Sequence, residues 1–317
     1  MKKQEIQEII DCLGSERKIF RYHEGRYALD YLGFEMQNRG VASLSIADLK
    51  RGQLSSLVEK SVIKNLLAHC GAGVIDKAHL DSCWENKHFC WVLGMGIWGC
   101  GRVGLDQTSR RQSNLVLQLN FTQHHCQRYQ KLIRPCNSLG PFEYRGHPIN
   151  TVGRKTMAWV RLDFDFDTGE ALIEEIQNDW LRRAKYWSQR VRLAEQQNGG
   201  KLPLSITRNF GASVKEFETY MGELAAYEKI WAEASLAAAI DFIRQQLGLT
   251  TIYYHSFKTG CQVKNIYCQP PKSMYASLPK KFLFKAIEQA PMFLLNDKGV
   301  ARRLKKIACQ QWFQLRV

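Results

Sequence analysis

The chain has 317 residues, 45% of them hydrophobic by type, and a formal net charge of +15. This is ample material for one large core or two ordinary ones, and nowhere do the roughly 18 successive apolar residues of a membrane-spanning helix occur, so no membrane partner is expected. The ten cysteines lack CxxC spacing and follow no secretory leader, so they read as reduced thiols of a cytoplasmic protein, and no metal site is expected.

In chain order, residues 1–90 read as a helical N-terminal region. Ile6, Ile9, Ile10 and Leu13 recur at helical spacing, and Ser45 to Asp48 opens a helix expected to run to Cys70 before Gly71 and Gly73. Residues 91–317 read as an α/β domain. Its first segment, CWVLGMGIWGCGRVG, contains a GxGxxG match (Gly94, Gly96, Gly99). The next segment is a strand, with no helix to offer its N-terminus to a phosphate, so closely packed glycine strand is the expected structure. Asn114 to Phe121 alternates as a strand. Thr156 to Phe166 and Glu170 to Asn178 form a hairpin about Asp167-Thr168-Gly169, with Asp163 and Asp165 on a solvated face. A helix and an exposed insertion near 185–220 follow, then a long helix over Val214 to Leu247 that admits a break. Thr250 to Ser256 reads as a buried strand, Ser277 to Gln289 as a helix with Pro279 in its first turn, and Gln311 to Val317 as a last strand. The fold class is α/β (α+β): a mixed central sheet with flanking helices.

The segment ALIEEIQNDW, Ala171 to Trp180, departs from an ordinary strand. Alternation places Ile173, Glu175, Gln177 and Asp179 on one face and Leu172, Glu174, Ile176 and Asn178 on the other, so polar groups occupy both. They do so where the strand ends and a helix starts, the end of an α/β sheet at which ligands bind. Glu174, Glu175 and Gln177 are the candidate catalytic group, since buried carboxylates need partners and shift their proton affinity. Asn178 and Asp179 are preferred N-cap types and are expected to cap that helix. His147, before Pro148, is a candidate substrate contact. Arg161, opposite the acidic strand, is expected to bridge to Glu175 or Glu174 or to bind a substrate anion, and His255 to reach the site or lie satisfied in the core.

Charge is unevenly placed. Residues 102–155 hold nine Lys or Arg against two acids, and 271–317 hold ten against two, whereas 161–179 holds seven acids and one Arg. A basic exterior about an acidic centre fits a polyanionic partner, with Arg302, Arg303, Lys305 and Lys306 as candidate nucleic-acid-binding residues.

Residues from about 114 to 290 resemble a domain of phage and mobile-element polyvalent proteins that carries an EIQSDW-type motif. The matching pieces are NLVLQLNF, His147-Pro148, TMAWVRLDFD, LIEEIQNDW, a helix near Trp231, IYYHS and MYASLPK. The chain departs from that pattern at Asn178, where the relatives carry Ser, and just after Trp180. The resemblance implies a common site and no particular reaction. The order of elements also resembles the GCN5-related N-acetyltransferase core. That likeness implies Glu175 as general base, Tyr275 as general acid and coenzyme A as a cofactor, although Trp180 to Trp187 contains no glycine to form the pyrophosphate loop. The expected function is therefore a transferase-type enzyme with an acyltransferase-like core, taking a small-molecule donor and a polyanionic or nucleic-acid-associated substrate. The alternative is a non-catalytic nucleic-acid-binding protein of mobile-element origin.

Overall fold

In the computed structural model, residues 1–14, 18–52, 54–71, 73–84, 88–99, 106–150, 153–197, 199, 201–266 and 271–317 are described. Ten strands are present among them: β1 (Ile19–Tyr22), β2 (Ser43–Ser45), β3 (Val74–Asp76), β4 (Phe89–Trp98), β5 (Asn114–Phe121), β6 (Thr156–Asp165), β7 (Glu170–Gln177), β8 (Thr251–His255), β9 (Lys285–Ile287) and β10 (Trp312–Arg316). Eight form one sheet in the order β1-β4-β5-β6-β7-β8-β10-β9, and β2 pairs with β3 apart from it. Within the large sheet only the β7–β8 pair is parallel. This is the mixed sheet with flanking helices that the sequence pattern implies. No helix is long and apolar enough to cross a membrane among the described residues.

Alternation in β5 and β6 sorts the two faces. Leu115, Leu117, Leu119 and Phe121 join Ala158, Val160, Leu162 and Phe164 in the main core, together with Leu224, Ile230, Ala234 and Ala238 of the long helix Val214–Gln245. That helix runs unbroken, because Ser213 and Glu216 form a full capping box and its middle is rich in alanine. The opposite face carries Gln118, Asn120, Trp159, Arg161 and Asp163. At the β8–β10 end, this second face is covered by a smaller core of Leu172, Tyr253, Val263, Phe293, Val300 and Trp312.

Several elements differ from the sequence reading. The helix expected over 45–70 is three helices, Ile46–Arg51, Ser55–Val58 and Ser61–His69; Ser45 caps the first and Gly52 ends it. The N-terminal ninety residues are largely helical but also supply β1, the edge partner of β4. The stretch expected as an exposed insertion is anchored by buried Ile206, Phe210, Ala212 and Phe217. The late helix is Lys272–Lys281 with Pro279 in its last turn, and residues 285–287, expected as helix, form β9. Asp163 is not solvated: it is fully buried and takes two hydrogen bonds from Arg110, at 2.7 and 2.5 Å. The glycine segment is strand through Trp98, and its residues 100–104 lie outside the described ones. Among the described residues, Cys12, Cys70, Cys90, Cys126, Cys136, Cys261 and Cys309 are free thiols, and no metal-binding cluster occurs.

Candidate functional site

The site begins with a register shift. β6 and β7 pair Arg161 with Glu175, but the next pair is Leu162 with Ile173, so Glu174 is the extra residue of a β-bulge. Simple alternation fails there. Ile173 and Ile176 enter the main core, whereas Glu174 meets His255, Glu175 meets Arg161 and Gln177 lies beside Trp159. Two successive carboxylates and Gln177 therefore share one face, a correction to the two-face arrangement that counting by twos implies. The bulge also marks where the parallel pair separates. β7 and β8 pair only over Glu170–Ile173 and Thr251–Tyr254, and beyond that point Lys264 donates from Nζ to the Glu174 carbonyl at 2.8 Å.

Glu174 is sealed. Its carboxylate accepts from Ser109 N at 2.9 Å, Ser109 Oγ at 3.0 Å and His255 Nε2 at 3.1 Å, with no exposed surface on either side chain of the ion pair. Burial alone would raise its pKa, but the hydrogen bond and charge of His255, with Lys264 and Arg161 nearby, bring it down to about 2. His255 moves down as well, because burial of its ring outweighs the carboxylate. Ser109 Oγ lies 3.0 Å from His255 Nε2, the same ring nitrogen that Glu174 takes, and Nδ1 has no partner. A nucleophile relay needs acid and hydroxyl on opposite ring nitrogens. This trio is a structural knot. Gly260 lets its helix approach, since a Cβ there would sit 2.9 Å from His255 Cβ.

Glu175 is different, with its side chain 15% exposed and paired to Arg161. Arg161 is fixed by the carbonyls of Asp106 (2.5 Å) and Gln107 (3.0 Å), with its guanidinium over the rings of Trp98 and Trp159. Burial would raise the Glu175 pKa, but the charges of Arg161 and Lys264 lower it. Gln177, its amide oriented to satisfy both ends, donates to Glu175 Oε1 at 3.1 Å and accepts from Arg182 at 3.2 Å. Tyr275 is buried and 5.8 Å, ring to ring, from Tyr254. Burial and then Glu175 push its hydroxyl well above the usual tyrosine range, so it stays protonated. Lys264 is a buried amine lowered by that burial, against the pull of Glu175 and Glu174.

The third layer reaches the surface. Asn178 Oδ1 accepts from Leu181 N at 2.8 Å, so Asn178 alone caps the helix Asp179–Gln197. Asp179, expected to share the capping, instead turns its carboxylate to His147 Nδ1 at 2.6 Å and Trp159 Nε1 at 3.2 Å. Burial would raise the Asp179 pKa, but the His147 bond and charge, Trp159 and Arg182 lower it. It is therefore an ionised acceptor, and the His147 nitrogen facing it must carry hydrogen. His147 is 21% exposed against 4% for Asp179. Its ring sits among Tyr144 (4.7 Å), Trp159 (5.3 Å) and Trp98 (6.3 Å). The loop is held to the sheet by Gln118 Nε2, which donates to the Pro148 carbonyl at 3.0 Å.

The structure thus brings His147, Arg161, Glu175 and Gln177 into one neighbourhood, with Glu174 and His255 behind it and Tyr275 on its buried side. The C-terminal basic run is split: Arg302, Lys305 and Lys306 are exposed, whereas Arg303 turns inward to the Ser109 carbonyl. Sequence reasoning missed Ser109 and Lys264 and undervalued Asp179. One signal was present for the last: two adjacent cap residues precede a single helix, and only one can cap it.

Coenzyme A does not fit the start of this helix. The region that would face a pyrophosphate holds the Asp179 and Glu175 carboxylates, the Leu181 amide is already taken by Asn178, and Trp180 to Trp187 contains no glycine. No family model, curated protein or solved structure matches the chain.

Proposed function

We propose that the chain is a transferase-type enzyme in which His147, oriented by Asp179, moves a proton on the acceptor. The single observation that carries this reading is the 2.6 Å contact between a buried, ionised carboxylate and Nδ1 of a partly exposed histidine. With Nδ1–H directed at Asp179, the Nε2 lone pair is the ring's free acceptor. It takes a proton from an acceptor hydroxyl or amine as that group attacks the donor, and Asp179 stabilises the imidazolium. The proton then passes to the leaving group or to solvent. Arg161, a buried cation on the same face, holds Glu175 in place. Glu175 itself is held ionised and paired, which makes it a weak base near neutrality, and Tyr275 remains a protonated donor beside it.

The test is a screen of the full chain against activated acyl, phosphoryl and glycosyl donors with peptide and nucleic-acid acceptors, read by mass spectrometry. Transfer is expected with one donor class, and His147→Gln is expected to abolish it in a protein that still folds. Undiminished transfer by His147→Gln, or no transfer from any donor, contradicts the proposal.

A second reading is a nucleic-acid-binding protein. It rests on exposed Arg302, Lys305 and Lys306 and on the charge of +15. Binding to a DNA duplex that weakens steeply with salt, and less steeply in the triple glutamine variant of those residues, supports it; a flat salt response removes it.

A further inference from the structure

The outer edge of β4 is unfinished. β1 pairs with Phe89–Val92 only, and Leu93 N then donates to the Lys18 carbonyl at 2.9 Å. The N–H and C=O of one residue point to the same side of a strand and alternate along it. Met95 and Ile97 therefore direct theirs outward, where no strand meets them among the described residues. A cleft of about 630 Å³ runs along this edge, walled by Leu13 and Gly14 on one side and by Pro148, Ile149 and Arg154 on the other. From Gly94 to Trp98 the open edge measures roughly 13 Å at 3.3 Å per residue.

Two further observations say what belongs there. The strand FCWVLGMGIW carries neither charge nor proline, although open sheet edges are ordinarily blunted by one or the other. Arg154 lines the same cleft, and its Nε and Nη1 are covered by protein without a hydrogen-bond partner. Arg154 has no acid partner among the described residues, and a carboxylate in the cleft supplies the counter-charge it lacks.

We propose that this cleft binds an extended, acidic polypeptide segment, added as a strand to the outer edge of β4 with a carboxylate on Arg154. The far end of the edge is Trp98, whose ring lies 6.3 Å from that of His147. A chain docked there runs on to the proposed proton-handling site and becomes the acceptor. Only that last step rests on the function proposed above; the docking does not.

The experiment uses the full chain and a fluorescein-labelled peptide of alternating Val and Glu, read by anisotropy at physiological salt. Saturable binding is expected. It should weaken by at least about tenfold in Arg154→Gln, vanish when alternate peptide nitrogens of the ligand are methylated, and persist in His147→Gln. Persistence in His147→Gln separates failure of the docking from failure of the catalytic reading. Equal binding of a Val–Lys peptide or of the methylated peptide overturns the proposal. So does absence of binding, full displacement by a single-stranded oligonucleotide, or a dimer of the chain that occupies the edge itself.

Discussion

His255 and His147 are both bonded to a carboxylate, yet their surroundings divide their work. His255 has no exposed surface, shares one ring nitrogen between Glu174 and Ser109, and leaves the other without a partner. His147 has one nitrogen on a buried acid, and its ring stands at the rim of the site. Loss of the Glu174 carboxylate is therefore a stability event. Glu174→Gln should cost about 3 kcal/mol, since it leaves Lys264 and Arg161 buried with one counter-charge fewer, and urea denaturation monitored by tryptophan fluorescence reads it. Asp179→Asn should cost less in stability and much more in turnover, about 10²–10⁴-fold, because the amide no longer imposes the tautomer or stabilises the imidazolium. Equal losses of stability in the two variants would remove the distinction drawn here.

The elements of the hairpin were legible to different depths. Thr156 to Asp165 and Glu170 to Gln177 announce themselves by alternation and by the Asp-Thr-Gly turn, and Gly169 does take a positive φ of 66°. The bulge at Glu174 was not legible, because it is decided by pairing with β6 and by the parting from β8, which no periodicity within β7 records. The same holds for Lys264, placed in the gap by a helix of eight residues that sequence reading left unassigned. That helix sits close only because Gly260 has no side chain. Gly260→Ala gains up to about 1 kcal/mol of helix propensity but drives a methyl to within 2.9 Å of His255 Cβ, an overpacking that costs roughly 1–3 kcal/mol. Net destabilisation is expected, and a crystal structure of the variant should show His255 displaced from Glu174. A variant of unchanged stability with an unmoved ring would contradict the packing argument.

Over the whole molecule, His125 and Glu174 are two of the buried groups that give stability its acid dependence. His125 stacks on Phe121 at 3.8 Å and meets Tyr220 at 2.9 Å through Nε2, and burial, with His124 adding, lowers its pKa from 6.5 to about 4. A lowered histidine stabilises the fold fully above its unfolded value, so this contribution fades as pH falls from about 6.5 towards 4. Glu174, also lowered, contributes above about 4.5 and loses its contribution as pH falls towards 2. Asp30, raised to about 6 by burial, works in the opposite sense over the upper range, so the readout is the stability difference between the native chain and His125→Gln, which should shrink as pH falls from about 6.5 towards 4. A difference that does not change over that range would count against the buried neutral His125. The proposed chemistry turns on the state of one ring. The most direct measurement is the ¹⁵N spectrum of His147 in uniformly labelled protein at neutral pH. Nδ1 should carry the proton and Nε2 be bare, a preference lost in Asp179→Asn. A proton on Nε2 in the native chain, or a tautomer indifferent to Asp179→Asn, would contradict it.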